Sequence, residues 1–268
     1  ACVSLASAQQ DPAPAEPQGT YDPERRVNLA QPDFTLAALP TSLRVPTFKS
    51  AFRVTHRFGR SLGAGDFGDL IENAFGLDSG AMIGLEYRFG LVKGGQVGVH
   101  RTSNRTIELF GEYDLRLATA EHPLGITALA TIEGTNNFRD IYSPALGAIV
   151  TYQMGDRGAF YVEPIWGHNV NLLPSTFTTL DEDTLMVGLG ARVRIRPTVY
   201  LVGEVTPRVA GYDRGTHQAS VAIEKRAGGH SFQLNFSKGF GTTMAQIARG
   251  GTSASDWYLG FNISRKFF

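Results

Sequence analysis

The stretch Leu185-Met186-Val187-Gly188-Leu189-Gly190-Ala191-Arg192-Val193-Arg194-Ile195-Arg196 decides the fold. Leu185, Val187, Leu189, Ala191, Val193 and Ile195 fall on one face, because successive side chains of a strand point to opposite sides. Arg192, Arg194 and Arg196 fall on the other. The segment has the length a tilted strand needs to cross a bilayer, about 9–11 residues.

The same period of two recurs from Val45 to the end. Phe52-Val54-His56-Phe58, Ala81-Ile83-Leu85-Tyr87-Phe89 and Ile107-Leu109-Gly111-Tyr113 are clear cases. So are Leu124-Ile126-Ala128-Ala130-Ile132, Phe160-Val162-Pro164-Trp166 and Leu259-Phe261-Ile263. The count comes to about 12 strands, within a range of about 10–14. The connections sort into two kinds. Those near 90–95, 118–122, 153–158, 196–198 and 226–229 are short, and those at 59–79, 133–142, 168–183, 208–217 and 240–255 are longer. Ser103-Asn104 is a tight turn on the long-loop side. Sorting of this kind belongs to membrane barrels, with short turns at the periplasmic end; a soluble sandwich has no reason to sort its loops.

Charge and hydropathy limit the alternatives. The 268 residues hold 25 basic and 25 acidic side chains, so no surplus argues for nucleic acid. No run of about 20 apolar residues is present, which excludes a helical membrane protein. The face opposite the apolar one carries Arg53, Arg57, Glu86, Arg88, Glu108, Glu112, Asp114, Arg116, Glu133, Glu163, Arg192, Arg194, Arg196, Glu204, Arg208 and Glu224. In a soluble barrel this face points outward; in a membrane barrel the assignment inverts and the charges line the lumen. Glycines mixed into the polar face (Gly84, Gly98, Gly188, Gly190) suit a crowded interior. Aromatics near strand ends (Phe58, Tyr87, Phe89, Tyr152, Trp166, Tyr200, Trp257) suit an interfacial girdle. The expected fold is therefore all-β, a transmembrane antiparallel up-and-down barrel of a bacterial outer membrane. An even strand count puts both termini in the periplasm.

Residues 1–8 read as the remnant of a secretory signal, with Ala6-Ser7-Ala8 of the small-x-small form. The lone cysteine, Cys2, is alternatively a lipidated residue and excludes an intrachain disulfide. Residues 9–42 are rich in Pro, Gln and Ala and read as a flexible periplasmic leader or, alternatively, a lumen plug in which Phe34, Leu36 and Leu39 dock. The barrel takes 43–268.

Leu39-Pro40-Thr41, His56-Arg57-Phe58-Gly59, Phe75-Gly76-Leu77-Asp78 and the hairpin around Arg101-Thr102-Ser103-Asn104-Arg105-Thr106 resemble an uncharacterised family of bacterial outer-membrane β-barrels. The resemblance runs from about residue 39 to the end. It implies the barrel and its location, and it carries no catalytic residues.

His100-Arg101-Thr102-Ser103 resembles the His-x-Ser stretch of outer-membrane lipid hydrolases, where both side chains share one strand face. Here the spacing is three, so His100 and Ser103 fall on opposite faces and a polar hairpin turn is the simpler reading. No histidine shows metal-ligand spacing, and Asp181-Glu182-Asp183 reads as a solvated loop. No catalytic residue, metal or cofactor is expected.

The lumen charges are the sharper lead: Glu86, Arg88, Glu108, Glu112, Asp114, Arg116, Arg192, Arg194, Arg196, Glu204 and Arg208. Acids dominate the fourth strand and arginines the eighth, roughly opposite in a ring of twelve. Either they set a field across an open pore, or they pair across a narrow one, since unpaired buried charges are costly. The leading expectation is a narrow channel passing or binding small polar solutes. A structural barrel docking a periplasmic or surface protein is the alternative, and a lipid hydrolase using His100 is the third. Membrane lipid is the expected surrounding.

Overall fold

The structure, a computed structural model, describes residues 28–72, 80–171 and 183–268. The signal remnant, Cys2 and residues 9–27 lie outside the described residues, as do Phe75-Gly76-Leu77-Asp78 and Asp181-Glu182.

One antiparallel barrel contains every described strand. In chain order they are β1 (Ser50–Ser61), β2 (Ala81–Val92), β3 (Gly95–Thr102), β4 (Ile107–Arg116), β5 (Leu124–Gly134), β6 (Asp140–Gln153) and β7 (Gly158–Gly167). Then follow β8 (Thr184–Arg196), β9 (Val199–Thr206), β10 (Arg208–Ala210), β11 (Gln218–Ala227), β12 (His230–Ser237) and β13 (Tyr258–Lys266). From β1 to β9 and from β11 to β13 each strand pairs with the next in the chain, β8 pairs with both β9 and β10, β9 pairs with β11, and β13 closes on β1. Pro207, which has no N–H to give the ladder, separates β9 from β10; the two are one strand of the wall. The wall therefore has twelve strands and no free edge.

The alternation sets the two faces. Leu85, Tyr87, Val97, Leu109, Leu185, Leu201, Ile223 and Leu234 stand exposed on the outside. Arg53, Glu86, His100, Glu112, Glu163, Arg192 and Glu224 are buried inside. An exterior of large apolar side chains over a charged interior is stable when hydrocarbon surrounds the barrel. Two girdle expectations fail. Tyr200 is fully buried and points inward, in phase with Val202 and Glu204, and Phe58 is buried at the top of β1. Tyr87, Tyr152 and Trp166 do face outward.

The loop sorting holds with one difference. The connection read as 133–142 is only Thr135–Arg139, because β5 and β6 run further than their apolar alternation. Asn136 and Asn137 make that turn with positive φ (49° and 59°), a conformation asparagine tolerates better than most residues.

Candidate functional site: a plugged lumen

Residues 28–45 enter the barrel from the end that carries the short turns and fold back on themselves. Asn28 Oδ1 accepts the Ala30 and Gln31 N–H groups, and Asp33 Oδ1 accepts that of Phe34. Leu36 N–H donates to the Leu39 carbonyl at 2.7 Å and Thr41 N–H to that of Phe34 at 2.9 Å, closing a tight hairpin. Small residues, Ala37 and Ala38, form its tip, and every residue from Ala30 to Thr41 is buried. Inside a barrel such backbone must find partners, because an unpaired buried peptide group costs about 1–3 kcal/mol.

The wall supplies them on one side. The Glu204 carboxylate accepts the N–H groups of Ala37, Ala38 and Leu39 at 3.0–3.1 Å. Arg57 and Asn262 donate to the Ala37 carbonyl at 3.1 and 2.9 Å, and Gln233 to that of Leu36 at 3.1 Å. Arg192 donates to the Asp33 and Thr35 carbonyls at 3.2 and 2.5 Å while pairing with Glu224 at 2.9 Å. Ser264 holds Asp33 Oδ2 at 2.7 Å, Lys266 donates to the Pro32 carbonyl at 2.6 Å, and Arg53 bonds the Thr35 hydroxyl. Gln96 clamps the returning segment, accepting from Val45 N–H and donating to the Leu43 carbonyl.

The other side of the lumen is apolar. Leu36 and Leu39 pack in one cluster with Leu129, Ile149, Tyr161, Ile165 and Met186, contributed by β5 to β8. Gly188 and Gly190 make the room: a Cβ at Gly190 would stand 2.1 Å from a Leu36 methyl, and one at Gly188 3.0 Å from a Leu39 methyl. Below them Phe34, Val45 and Ala51 pack with Phe268.

A second element descends from the long-loop end. The helix Met244–Arg249 lies within the 240–255 loop, with Met244 and Ile247 in the same apolar cluster as Leu36 and Leu39. Wall carboxylates hold its first turn: Glu108 accepts Met244 N–H at 2.7 Å and Glu133 the Thr243 hydroxyl at 2.6 Å. Negative charge belongs at a helix start. Glu133 also pairs with Arg249 at 3.2 Å, and Arg208 donates to the Ala248 and Arg249 carbonyls. Between hairpin and helix remains a void of about 30 Å³, room for about one water.

The sequence-derived residues are placed as follows. Glu86, Arg88, Glu108, Glu112, Arg192 and Glu204 are buried within the barrel. Asp114, Arg194 and Arg208 are half-buried, and Arg116 and Arg196 are exposed at the short-turn rim. Glu86 joins Arg53 and Arg88, and Arg88 joins Glu112 at 2.8 Å. These pairs run between strands on the same side of the ring. The expectation that acids of β4 pair with arginines of β8 across the lumen, or face them over open space, is corrected. The hairpin and helix stand between the two sets and take up their hydrogen-bonding capacity.

Charge along the strands does not mark Gln96, Gln233 and Asn262, because these amides are neutral. Their inward phase beside Glu112, Glu224 and Thr55 is the signal that marks them. Charge leaves the helix unmarked as well, although Thr243 before Met244-Ala245-Gln246-Ile247-Ala248-Arg249 and Gly250 after it mark a helix start and stop.

His100 is buried, 4.0 Å from Glu108. Ser103 stands exposed in the β3–β4 turn, its Oγ accepting Ile83 N–H. Histidine and serine do not meet, as their spacing predicted.

Fold and surface together define an outer-membrane β-barrel. A family model described as membrane bound beta barrel domain (DUF5777) matches residues 38–267, and the chain belongs to that family. Among solved structures it is similar to the NanC porin, at 8% identity and TM-score 0.52 over 82% of this chain and 99% of that one. Omp33 of Acinetobacter baumannii matches at 11% identity and TM-score 0.44, over 84% of this chain and 100% of that one. No curated protein sequence matches the chain.

Proposed function

We propose that the protein is a gated, non-enzymatic channel that passes or binds small polar solutes, with residues 28–45 as a displaceable plug. The observation that carries this reading is how the wall charges are satisfied. Glu204, Arg57 and Arg192 spend their hydrogen bonds on main-chain groups of the hairpin. Water or a polar solute can make the same bonds, so withdrawal of the hairpin leaves a wettable half-wall and not a collapsed core. The short turns and the hairpin's point of entry belong, on this reading, to the periplasmic side, which places both termini there; membrane lipid surrounds the apolar exterior.

Planar-bilayer recording tests the reading. The intact protein is expected to stay closed at low voltage. Gly190→Phe, alone and with Met244–Arg249 deleted, is expected to give conductance steps. Silence in both variants, in samples whose plug is displaced by the labelling assay described below, overturns it in favour of a structural barrel that docks a partner.

A further inference from the structure

Two ions of the polar half-wall have no counter-ion. Arg53, Arg88 and Arg192 each pair with a wall carboxylate. Arg57 and Glu204 are buried beside them, yet among the described residues neither is in an ion pair. Each lies within reach of the other's charge, and one residue of the plug stands between them. Glu204 accepts the Ala37 N–H at 3.0 Å, and Arg57 donates to the Ala37 carbonyl at 3.1 Å. Asn262 adds a 2.9 Å bond to the same carbonyl. Spare capacity remains at both ends. Arg57 Nε is buried without a partner, and so are both carboxylate oxygens of Glu163, which lies within reach of the Glu204 charge.

A seated plug needs less than this. Neutral side chains satisfy peptide groups, as Gln233 does for the Leu36 carbonyl. A buried charge without a counter-ion is costly, and here two of opposite sign are spent on one neutral residue. The same two groups match the ends of a zwitterion. An ammonium offers three N–H donors, and Glu204 already accepts three main-chain N–H groups. A carboxylate accepts from a guanidinium more strongly than a peptide carbonyl does. The two groups are set one residue apart, N–H to carbonyl, which is the spacing of ammonium and carboxylate in an α-amino acid. Arg57 and Glu204 cancel in sign, which disfavours a bare anion or a bare cation.

We infer that Arg57, Glu204 and Asn262 form the binding site of a small zwitterionic solute of the α-amino acid class, and that Ala37 of the seated plug stands in for it. This names the solute of the proposed channel, and it rests on that reading for a displaceable plug and for passage. Solute and plug tip exclude one another, so the solute draws the plug out by binding only the open state.

The test is the rate at which a bulky aqueous maleimide labels the whole chain carrying A37C and C2S, titrated at matched osmolality with L-alanine, L-alaninamide, L-lactate and maltose. L-Alanine is expected to raise the rate about fivefold or more at its plateau. Alaninamide lacks the carboxylate, lactate lacks the ammonium and maltose lacks both, and each is expected to stay within about twofold of the rate without solute. E204Q and R57Q loosen the plug and raise the starting rate, but the further acceleration by L-alanine is expected to fall to about one. A solute acting elsewhere leaves that ratio unchanged. Heat-modifiable gel migration checks that each variant is folded, and N262D, which sets an acid at the carboxylate end, replaces one that is not. Absence of acceleration by L-alanine, equal acceleration by alaninamide and lactate, or an unchanged ratio in the variants overturns the proposal. Acceleration as expected beside a silent Gly190→Phe sinks passage and leaves the binding site. A conducting Gly190→Phe without acceleration sinks the solute class and leaves the channel.

Discussion

The two halves of the lumen wall hold the same hairpin by different physics. The arc that runs from Arg192 on β8 through β9, β12 and β13 to β1 grips it through Arg192, Glu204, Gln233, Asn262, Arg57 and Arg53, all directed at main-chain or hydroxyl groups. The half built from β5 to β8 grips it through Ile149, Ile165, Met186 and Tyr161 packed on Leu36 and Leu39. Hydrogen bonds fix register and are replaceable by water. Apolar packing has no direction but is lost outright when the hairpin leaves, because water cannot replace it. The polar half therefore decides where the plug sits, and the apolar half decides how firmly it stays.

The most disruptive way to break this comparison lies on the apolar half. Gly190→Phe puts a ring where Leu36 now lies, and overpacking of this size is expected to displace the hairpin altogether. A cysteine at Ala37, in a chain whose own Cys2 is replaced by serine, reads this out: unreactive to a bulky aqueous maleimide when Gly190 is kept, it becomes fully labelled in the variant. Continued protection would show that the wall, and not the plug, yields.

Arg192→Ala is next. It strands Glu224 and two hairpin carbonyls in a buried site, a loss of about 3–5 kcal/mol. The expected readout is a lowered midpoint of urea unfolding in vesicles together with partial Ala37Cys labelling. Leu36→Ala removes packing without stranding charge and is expected to lose about 3 kcal/mol of plug seating, with the barrel's own unfolding midpoint nearly unchanged. If Leu36→Ala shifts the barrel midpoint as far as Arg192→Ala does, plug and wall form one cooperative unit and the two-part picture fails. Ser42→Ala is the mildest. It removes the bond from Thr151 Oγ1 at 2.8 Å, near the water-accessible base, and is expected to change seating by about 1 kcal/mol or less.

How much was legible beforehand differs between wall and plug. Strand number, order and facing of Leu185–Arg196 follow from alternation alone, because a one-residue error would turn every arginine into lipid. The inward phase of Glu86, Arg88, Glu112 and Arg192 follows in the same way. The connection at 135–139 looks longer in the sequence because the ends of β5 and β6 carry Glu133, Gly134, Asp140 and Ser143, which break the apolar count while keeping the ladder. Tyr200, an aromatic near a strand end, fits a girdle by position, although its phase with Glu204 points inward.

The plug was less legible. Local composition around Pro32 and Pro40 reads as a leader, and nothing within residues 28–45 states that Glu204, some 165 residues away, accepts three of their N–H groups. For the same reason the sequence suggests that Glu108 and Arg192 face each other across the ring, whereas each is held by an element inside it. Charge signs along a strand are visible in sequence, but which backbone groups reach them is not.

By itself the sequence determined the container: a twelve-stranded wall, apolar outside and charged inside, since strand periodicity and the cost of buried charge act locally along each segment. Only the tertiary structure decided the content. Closing the ring brings Glu204, Arg57, Gly190 and Met186 around one small volume, and what fills it depends on hydrogen bonds and packing between segments that no local pattern connects.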